Sequence, residues 1–388
     1  MMNQWKITPR DALIFRDGKP FTADAGAKAK SLPFPFPSSI AGAVRTMAGI
    51  DPAIGEFDTQ KRESLLKKKI RGPFLAEEAD NGNLEWLAPA PADCLMLNGE
   101  KKELGKRIWL NPIDLQQGEI TDLKDTSLIG PAAIIEEKPH AEPPRFWKWR
   151  YFNDWLIKPG DDVVSLQEIG CSGPMYESRM HVSMNPETGT AIFGALFRTS
   201  GLEFIHLRPE LDEKKMIKNA KALSLLIETD ADLKPGIGFL GGERRVVQWE
   251  KAKCSIPHCP QEIRDSIDSN KTCRLILLTP AIFDKGFLPT WLQKEFAISI
   301  TGVVLPRYQV TSGWDYEKGK PKPTRRLVPA GSVYYLRLDP HQNIEEFIEK
   351  IWLANISDTE QDRLDGFGLA ALGNWDGRNR TMEMEEHS

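Results

Sequence analysis

The stretch from Pro235 to Trp249 (PGIGFLGGERRVVQW) restricts what this chain can fold into more than any other. Four glycines, Gly236, Gly238, Gly241 and Gly242, fall within seven residues. A backbone that needs so many residues without a Cβ is turning sharply or passing close to something. Gly236, Gly238 and Gly241 also satisfy G-x-G-x-x-G, a dinucleotide loop that must follow a strand and open a helix. Here the glycines run into RVVQW (245–249), which is β-branched and aromatic and reads as a strand. Without a helix N-terminus to receive a pyrophosphate, the nucleotide-cofactor reading falls. What remains is a glycine loop feeding a strand, with backbone N–H groups and Arg244 and Arg245 beside it. Such a loop suits either phosphate contact or a tight packing turn.

The rest of the chain shows how that loop recurs. Residues 5–15 (WKITPRDALIF) read as a strand kinked at Pro9, and Arg16 to Pro20 supply turn chemistry. The prolines of LPFPFP (32–37) exclude a helix there. Ser38 then offers an N-cap. Ile40, Val44 and Met47 predict a short helix over Ser39–Ala48, closed by Gly49, with Arg45 left for solvent or a ligand. From about 51 to 170 the chain is polar and proline-rich and reads as a large insertion. Within it, 82–87 and 93–97 are candidate hairpin arms, and the aromatic-basic run 145–155 suits packing or a protein interface better than base stacking. Arg179–Met184 and Thr190–Phe197 flank NPETG (185–189), a hairpin that projects over about 179–207. Residues 212–226 are ambiguous between helix and strand.

After Pro260 the pattern starts again. A strand at 272–278 ends in Thr279 and Pro280, as the first strand holds Thr8 and Pro9. A strand at 333–338 precedes a helix with Asn343 as cap, Glu346 reaching back, and Ile344, Phe347, Ile348 and Ile351 as its apolar stripe. Gly366 and Gly368 then open a second glycine loop that leads towards Trp375. Two halves with matching ends indicate a tandem duplication, and the β–α–β–β–α–β order indicates a ferredoxin-like unit. The expectation is therefore an α+β fold of two tandem ferredoxin-like (RRM-like) units. The first, residues 1–260, carries the insertions and the hairpin; the second is 261–380, and 381–388 form a polar tail.

Composition removes several function classes. At 388 residues and a net charge of −4, there is room for two or three cores but no bulk attraction to nucleic acid. No run reaches the roughly 20 apolar residues of a membrane span, and the N-terminus lacks a secretory h-region, so a cytoplasmic chain without membrane contact is expected. Five scattered cysteines do not make a disulfide framework. Cys254, His258 and Cys259 fall one ligand short of a tetrahedral site, so neither metal nor cofactor is expected.

Several runs together resemble a known family. They are FRDGKPF (15–21), SLPFPFPSSIAGAVR (31–45), RMHV (179–182) with ETGT (187–190) and Leu196-Phe197, GGERR (241–245), SGWD (312–315) and VPAGSV (328–333). In this order they are similar to the RAMP-superfamily subunit that holds the 5′ end of the guide RNA in type III-B CRISPR effector (Cmr) complexes. The resemblance implies a non-catalytic subunit of two ferredoxin-like units. It would grip the single-stranded 5′ tag and bridge the large polymerase/cyclase-like subunit to the backbone RAMP subunits. It tips the glycine loop towards RNA, with Gly236, Gly238, Gly241 and Gly242 admitting phosphates and Arg244 and Arg245 holding them. Further expected RNA contacts are Arg45, Arg179, His181, the basic loop Lys318, Lys320, Lys322, Arg325 and Arg326, and the second loop's Gly366 and Gly368. The hairpin tip would be a thumb-like projection between subunits.

A second class of function is an endoribonuclease, since some RAMP relatives process guide precursor without metal. His181 is the candidate base, on one sheet face with Arg179 and Ser183. No partner to protonate the leaving oxygen is legible, and no carboxylates form a two-metal arrangement. The expectation is a chain that is not an enzyme.

Overall fold

The computed structural model describes residues 2–16, 28–29, 31–51, 55–79, 83–114, 130, 132–133, 135, 137–207, 219–254, 256–315 and 319–380. Two compact units are present, each assembled from separate segments. The first is Met1–Leu84, Gly173–Lys253 and Val310–Arg326; the second is Glu85–Ser172, Cys254–Gln309 and Leu327–Ser388.

The first unit is built on an antiparallel sheet. Its strands lie in the order Gly236–Phe239, Val246–Lys251, Asn3–Pro9, Lys221–Thr229 and Ile70–Glu78. Alternation along the strands sets the core: Trp5, Ile7, Val247 and Trp249 point inward and are buried, while Lys6 reaches Glu78 at 2.9 Å. The ambiguous stretch is resolved over Lys221–Thr229, a strand buried from Leu223 onward; residues 212–218 lie outside the described residues. The predicted helix spans Pro37–Gly49. Ser38 is not its cap. Phe36 takes that position without a side-chain bond, and Pro37 starts the helix with its φ already set. Ile40 and Val44 are fully buried as expected, and Met47 is half-buried.

The hairpin is longer than expected, with arms Met175–Met184 and Ala191–Glu203. Asn185 fixes its turn, its side-chain oxygen accepting the N–H groups of Glu187 and Thr188 at 2.9 and 3.4 Å. Ladder pairing at the base continues to Glu203, opposite Met175, and Leu202 also bridges Leu13.

The second unit has a five-stranded antiparallel sheet in the order Ile298–Val304, Val333–Leu338, Thr272–Leu277, Leu369–Gly373, Ala354–Asn355. The helix Ile344–Ile351 forms as its stripe predicts. Asn343 accepts the N–H of Glu346 at 3.1 Å, and Ile344, Phe347, Ile348 and Ile351 are all buried. Burying such side chains contributes about 1.5–3 kcal/mol each.

Residues 85–172, expected to interrupt the first unit, belong to the second. A charge pair with no solvent exposure on either side chain joins this segment to the rest of the second unit. Arg274 donates to Asp93 at 2.6 Å, to the carbonyls of Trp155 and Leu156 at 2.6 and 3.2 Å, and to that of Asn374 at 2.9 Å. Trp155 Nε1 donates to the same carboxylate at 3.0 Å. A buried guanidinium is tolerated only when its donors are satisfied, and segment 85–172 supplies most of these acceptors. The two candidate hairpin arms are not partners: Leu84–Pro89 pairs with Phe146–Lys148, and Cys94–Asn98 with Leu104–Trp109. The aromatic run serves packing, for Trp147, Phe152 and Trp155 are buried and Arg107 lies 5.4 and 5.1 Å from the two indole rings. Among the described residues no helix is long and apolar enough to cross a membrane.

Candidate nucleic-acid interface

The glycine stretch occupies one end of the first unit's sheet. A strand was expected after the glycines; one also forms within them, at Gly236–Phe239, as the terminal strand. The turn back is closed by the N–H of Leu240 donating to Arg245 O at 3.0 Å. Two of its glycines are explained by close packing. A Cβ on Gly238 would sit 2.7 Å from Trp249 Nε1 and 3.0 Å from Met47 Sδ. Gly241 has φ +80°, and its Cβ would lie 2.5 Å from the carbonyl oxygen of Ile14, which accepts the N–H of Gly242 at 2.7 Å. At both positions the space a Cβ would take is already filled by these neighbours, so backbone approach to phosphate is not what requires the glycines. Gly236 has open space around it.

The arginines around this turn divide into paired and unpaired. Arg245 is largely buried, its side chain 13% exposed, and it bonds both Asp11 and Glu243. Arg179, from the hairpin, bonds Asp11 at 3.2 Å and Glu177 at 2.9 Å, and Arg16 reaches Glu243 at 3.4 Å. Burial alone would raise the Asp11 carboxyl. The Arg245 guanidinium, the N–H of Ala12 and the charge of Arg179 outweigh it and hold Asp11 below the ordinary carboxylate range. Asp11 therefore ties the hairpin's base to the glycine turn.

Arg244 differs. It makes no ion pair among the described residues, it is exposed, and its guanidinium lies 4.6 Å from the centre of the Phe239 ring. Glu243 and Arg244 both adopt left-handed backbone, with φ of 58° and 50°. Two successive non-glycine residues in that region hold strain that the surrounding contacts must offset. This geometry turns Arg244 back over Phe239.

The remaining predicted contacts fall in several places. Arg45 is not left for a ligand; it donates to the carbonyls of Leu65 and Leu66 at 3.1 and 3.3 Å, binding the end of the short helix Arg62–Leu66. His181 Nε2 lies 2.8 Å from Thr199 Oγ1, and its ring stacks on Phe197 at 5.2 Å. Lys320, Lys322, Arg325 and Arg326 are exposed, whereas Lys318 lies outside the described residues.

Gly366 and Gly368 belong to the second unit and are buried. Gly366, φ 100°, ends the helix Glu360–Asp365, and its carbonyl accepts the Thr279 hydroxyl at 2.8 Å. Gly368 donates to Pro280 O at 2.8 Å, and a Cβ there would meet Ser357 N at 2.8 Å. These two glycines close the fold, so their burial removes the geometric basis for RNA contact.

Thus the structure gathers Gly241, Gly242, Arg179, Arg244 and Arg245 at one place. It adds Asp11, Ile237 and Phe239, which the sequence did not single out. Alternation between glycines was the available signal for the last two, but apolar residues at such spacing read equally well as core. The Cys259 thiol is pushed up to about 12, and Cys273 higher than its ordinary value, both by burial, which keeps them protonated.

A mixed α/β chain of antiparallel sheets with few helices, bearing an arginine-flanked glycine turn at a sheet end, is the class of protein these observations define. A family model described as "CRISPR-associated protein (Cas_Cmr3)" matches residues 5–375. The chain belongs to this family and is a subunit of type III-B CRISPR effector (Cmr) complexes. No curated protein matches it. Among solved structures it is similar to a chain of the type III-B Cmr-beta complex bound to cognate target RNA and AMPPnP. The identity there is 16%, with 86% of each chain covered and a TM-score of 0.47. A chain of Cmr-beta bound to cognate target RNA gives 17%, 86% of each and 0.46. A chain of the Csm3-Csm4 subcomplex of the type III-A interference complex gives 12%, 96% of this chain and 99% of that one, and 0.34.

Proposed function

We propose that this chain is a non-catalytic, cytoplasmic RNA-binding subunit that grips the single-stranded 5′ tag of the guide RNA. In this reading it also bridges the large polymerase/cyclase-like subunit to the backbone RAMP subunits. The observation that carries the reading is Arg244: an exposed arginine with no acidic partner among the described residues, presented on a strained turn at the end of a sheet. A cation in that state is available to a phosphate without first breaking an ion pair. Both units are read as ferredoxin-like. The order of the four principal strands, fourth, first, third, second along the sheet, supports this in each unit. In the first unit, a strand and turn stand between the third and fourth strands where a second helix would be. The hairpin, with Phe193 wholly exposed near its tip, is read as an arm reaching a neighbouring subunit.

A nuclease reading would need His181 poised beside a proton donor. Its Nε2 is engaged by the hydroxyl of Thr199 across the hairpin, and one face of its ring is covered by Phe197. Titrating the full chain with a single-stranded repeat-tag RNA over a range of salt, without metal, tests the proposal. Arg244→Ala is expected to weaken binding and to lower the slope of log K against log salt by about 0.7, one phosphate contact on a single strand. An unchanged slope, or tag cleavage that is lost in His181→Ala, would overturn it.

A further inference from the structure

The glycine turn presents more than a cation. Ile237 and Phe239 alternate with Gly236 and Gly238 on the terminal strand and point to the face opposite Trp249. They are 71% and 46% exposed. An isoleucine and a phenylalanine exposed side by side, with a guanidinium 4.6 Å over the ring, are not explained by phosphate contact. Gly238 and Gly241 are accounted for by Trp249, Met47 and Ile14 on the inner side, which leaves this outer face to be explained separately.

Charge and size narrow what it would take. Around the turn, Arg16, Arg179 and Arg245 are each bonded to Asp11, Glu177 or Glu243. Arg244 makes no ion pair among the described residues, and its guanidinium sits on the aromatic ring. Three side chains fall far short of the roughly 800 Å² per partner that a stable protein interface buries. They do match one planar base beside an anionic backbone, since bases stack on aromatic rings and on arginine planes alike. A cation already resting on the ring adds its own attraction to such a stack.

We propose that Ile237, Phe239 and Arg244 form a stacking site for one unpaired nucleobase of a single-stranded RNA. The base lies on the Phe239–Arg244 pair with Ile237 along its edge. This rests on the RNA-binding reading above and assigns to the same turn a base, in addition to a phosphate.

The test uses the full chain and a set of short single-stranded tag RNAs carrying 2-aminopurine at each position in turn. Stacking quenches that fluorophore, and titration gives the affinity from the same experiment. The wild-type chain is expected to quench one position strongly. Phe239→Ala is expected to abolish that quench and weaken binding about tenfold. Phe239→Leu keeps apolar bulk and loses the quench, whereas Phe239→Trp keeps both quench and affinity. Should the alanine variant fold poorly in a thermal melt, the leucine and tryptophan variants decide alone. Wild-type quenching and affinity in Phe239→Ala and Phe239→Leu would overturn the stacking site while leaving the RNA-binding reading standing. A wild-type chain that binds none of the RNAs overturns both. If the substitutions leave RNA affinity unchanged but break association with another purified subunit, the face is a protein contact and the proposal fails.

Discussion

The chain uses two glycine stretches, one in each unit, and one arginine beside each stands in a different environment. In the first, Arg244 is exposed over Phe239 and the strand beside it presents Ile237 and Phe239 to solvent. In the second, the strand Leu369–Gly373 is buried throughout. The arginine against it, Arg274, has no exposed side-chain surface and spends its donors on Asp93 and backbone carbonyls. Gly373 leaves room for that guanidinium, since a Cβ there would lie 3.0 Å from it. Similar composition thus leaves an exposed cation on an aromatic ring in one place and a structural joint in the other. What separates them is whether acceptors close around the arginine.

That contrast makes the two arginines experimentally separable. Arg274→Met leaves Asp93 charged and buried without its partner, and is expected to cost about 3–5 kcal/mol in urea unfolding. The RNA affinity of the folded fraction should not move, and a large affinity change with little loss of stability would break the contrast. Gly368→Ala forces a Cβ against Ser357 at positive φ and is expected to cost about 2–3 kcal/mol, again with RNA affinity unchanged. A well-folded alanine variant would mean that the second loop is less constrained than its contacts imply.

The smallest expected effect sharpens the account of the first stretch. Asp11→Asn removes the charge that holds Arg245 and Arg179. Because Asp11 is partly exposed, solvent screening limits the loss to about 1 kcal/mol at neutral pH. Its carboxyl is held below the ordinary value when folded. The stabilisation is therefore present above the unfolded value near 3.9 and is lost as pH falls through the lower folded value. Melting curves of wild type and variant are expected to differ at pH 7 and to converge at the acid end. A gap that persists or widens there would place the contribution elsewhere.

Much of this was legible in the residues, and where it was not the reason is physical. The helix Ile344–Ile351 was readable because cap, stripe and length agree in one short window. The hairpin was readable because Asn185 and Gly189 are turn residues whatever surrounds them. The membership of residues 85–172 was not, because contacts such as that of Asp93 with Arg274, 181 positions apart in sequence, are not written in any local pattern. Glycine spacing marked both loops but could not say which faced water, since a glycine forced by Ile14 and one forced by Ser357 look alike in a string. Arg45 was misread as available because the carbonyls of Leu65 and Leu66 that it binds are supplied by a later turn of chain.

The central claim is that the first glycine stretch meets RNA and the second does not. Photo-crosslinking the full chain to a 4-thiouridine-substituted tag RNA, with the crosslinked peptides mapped by mass spectrometry, tests it most directly. The account predicts crosslinks within residues 236–245 and none within 366–373. Crosslinks confined to 366–373, or RNA bound with no crosslink in 236–245 at any substituted position, would contradict it.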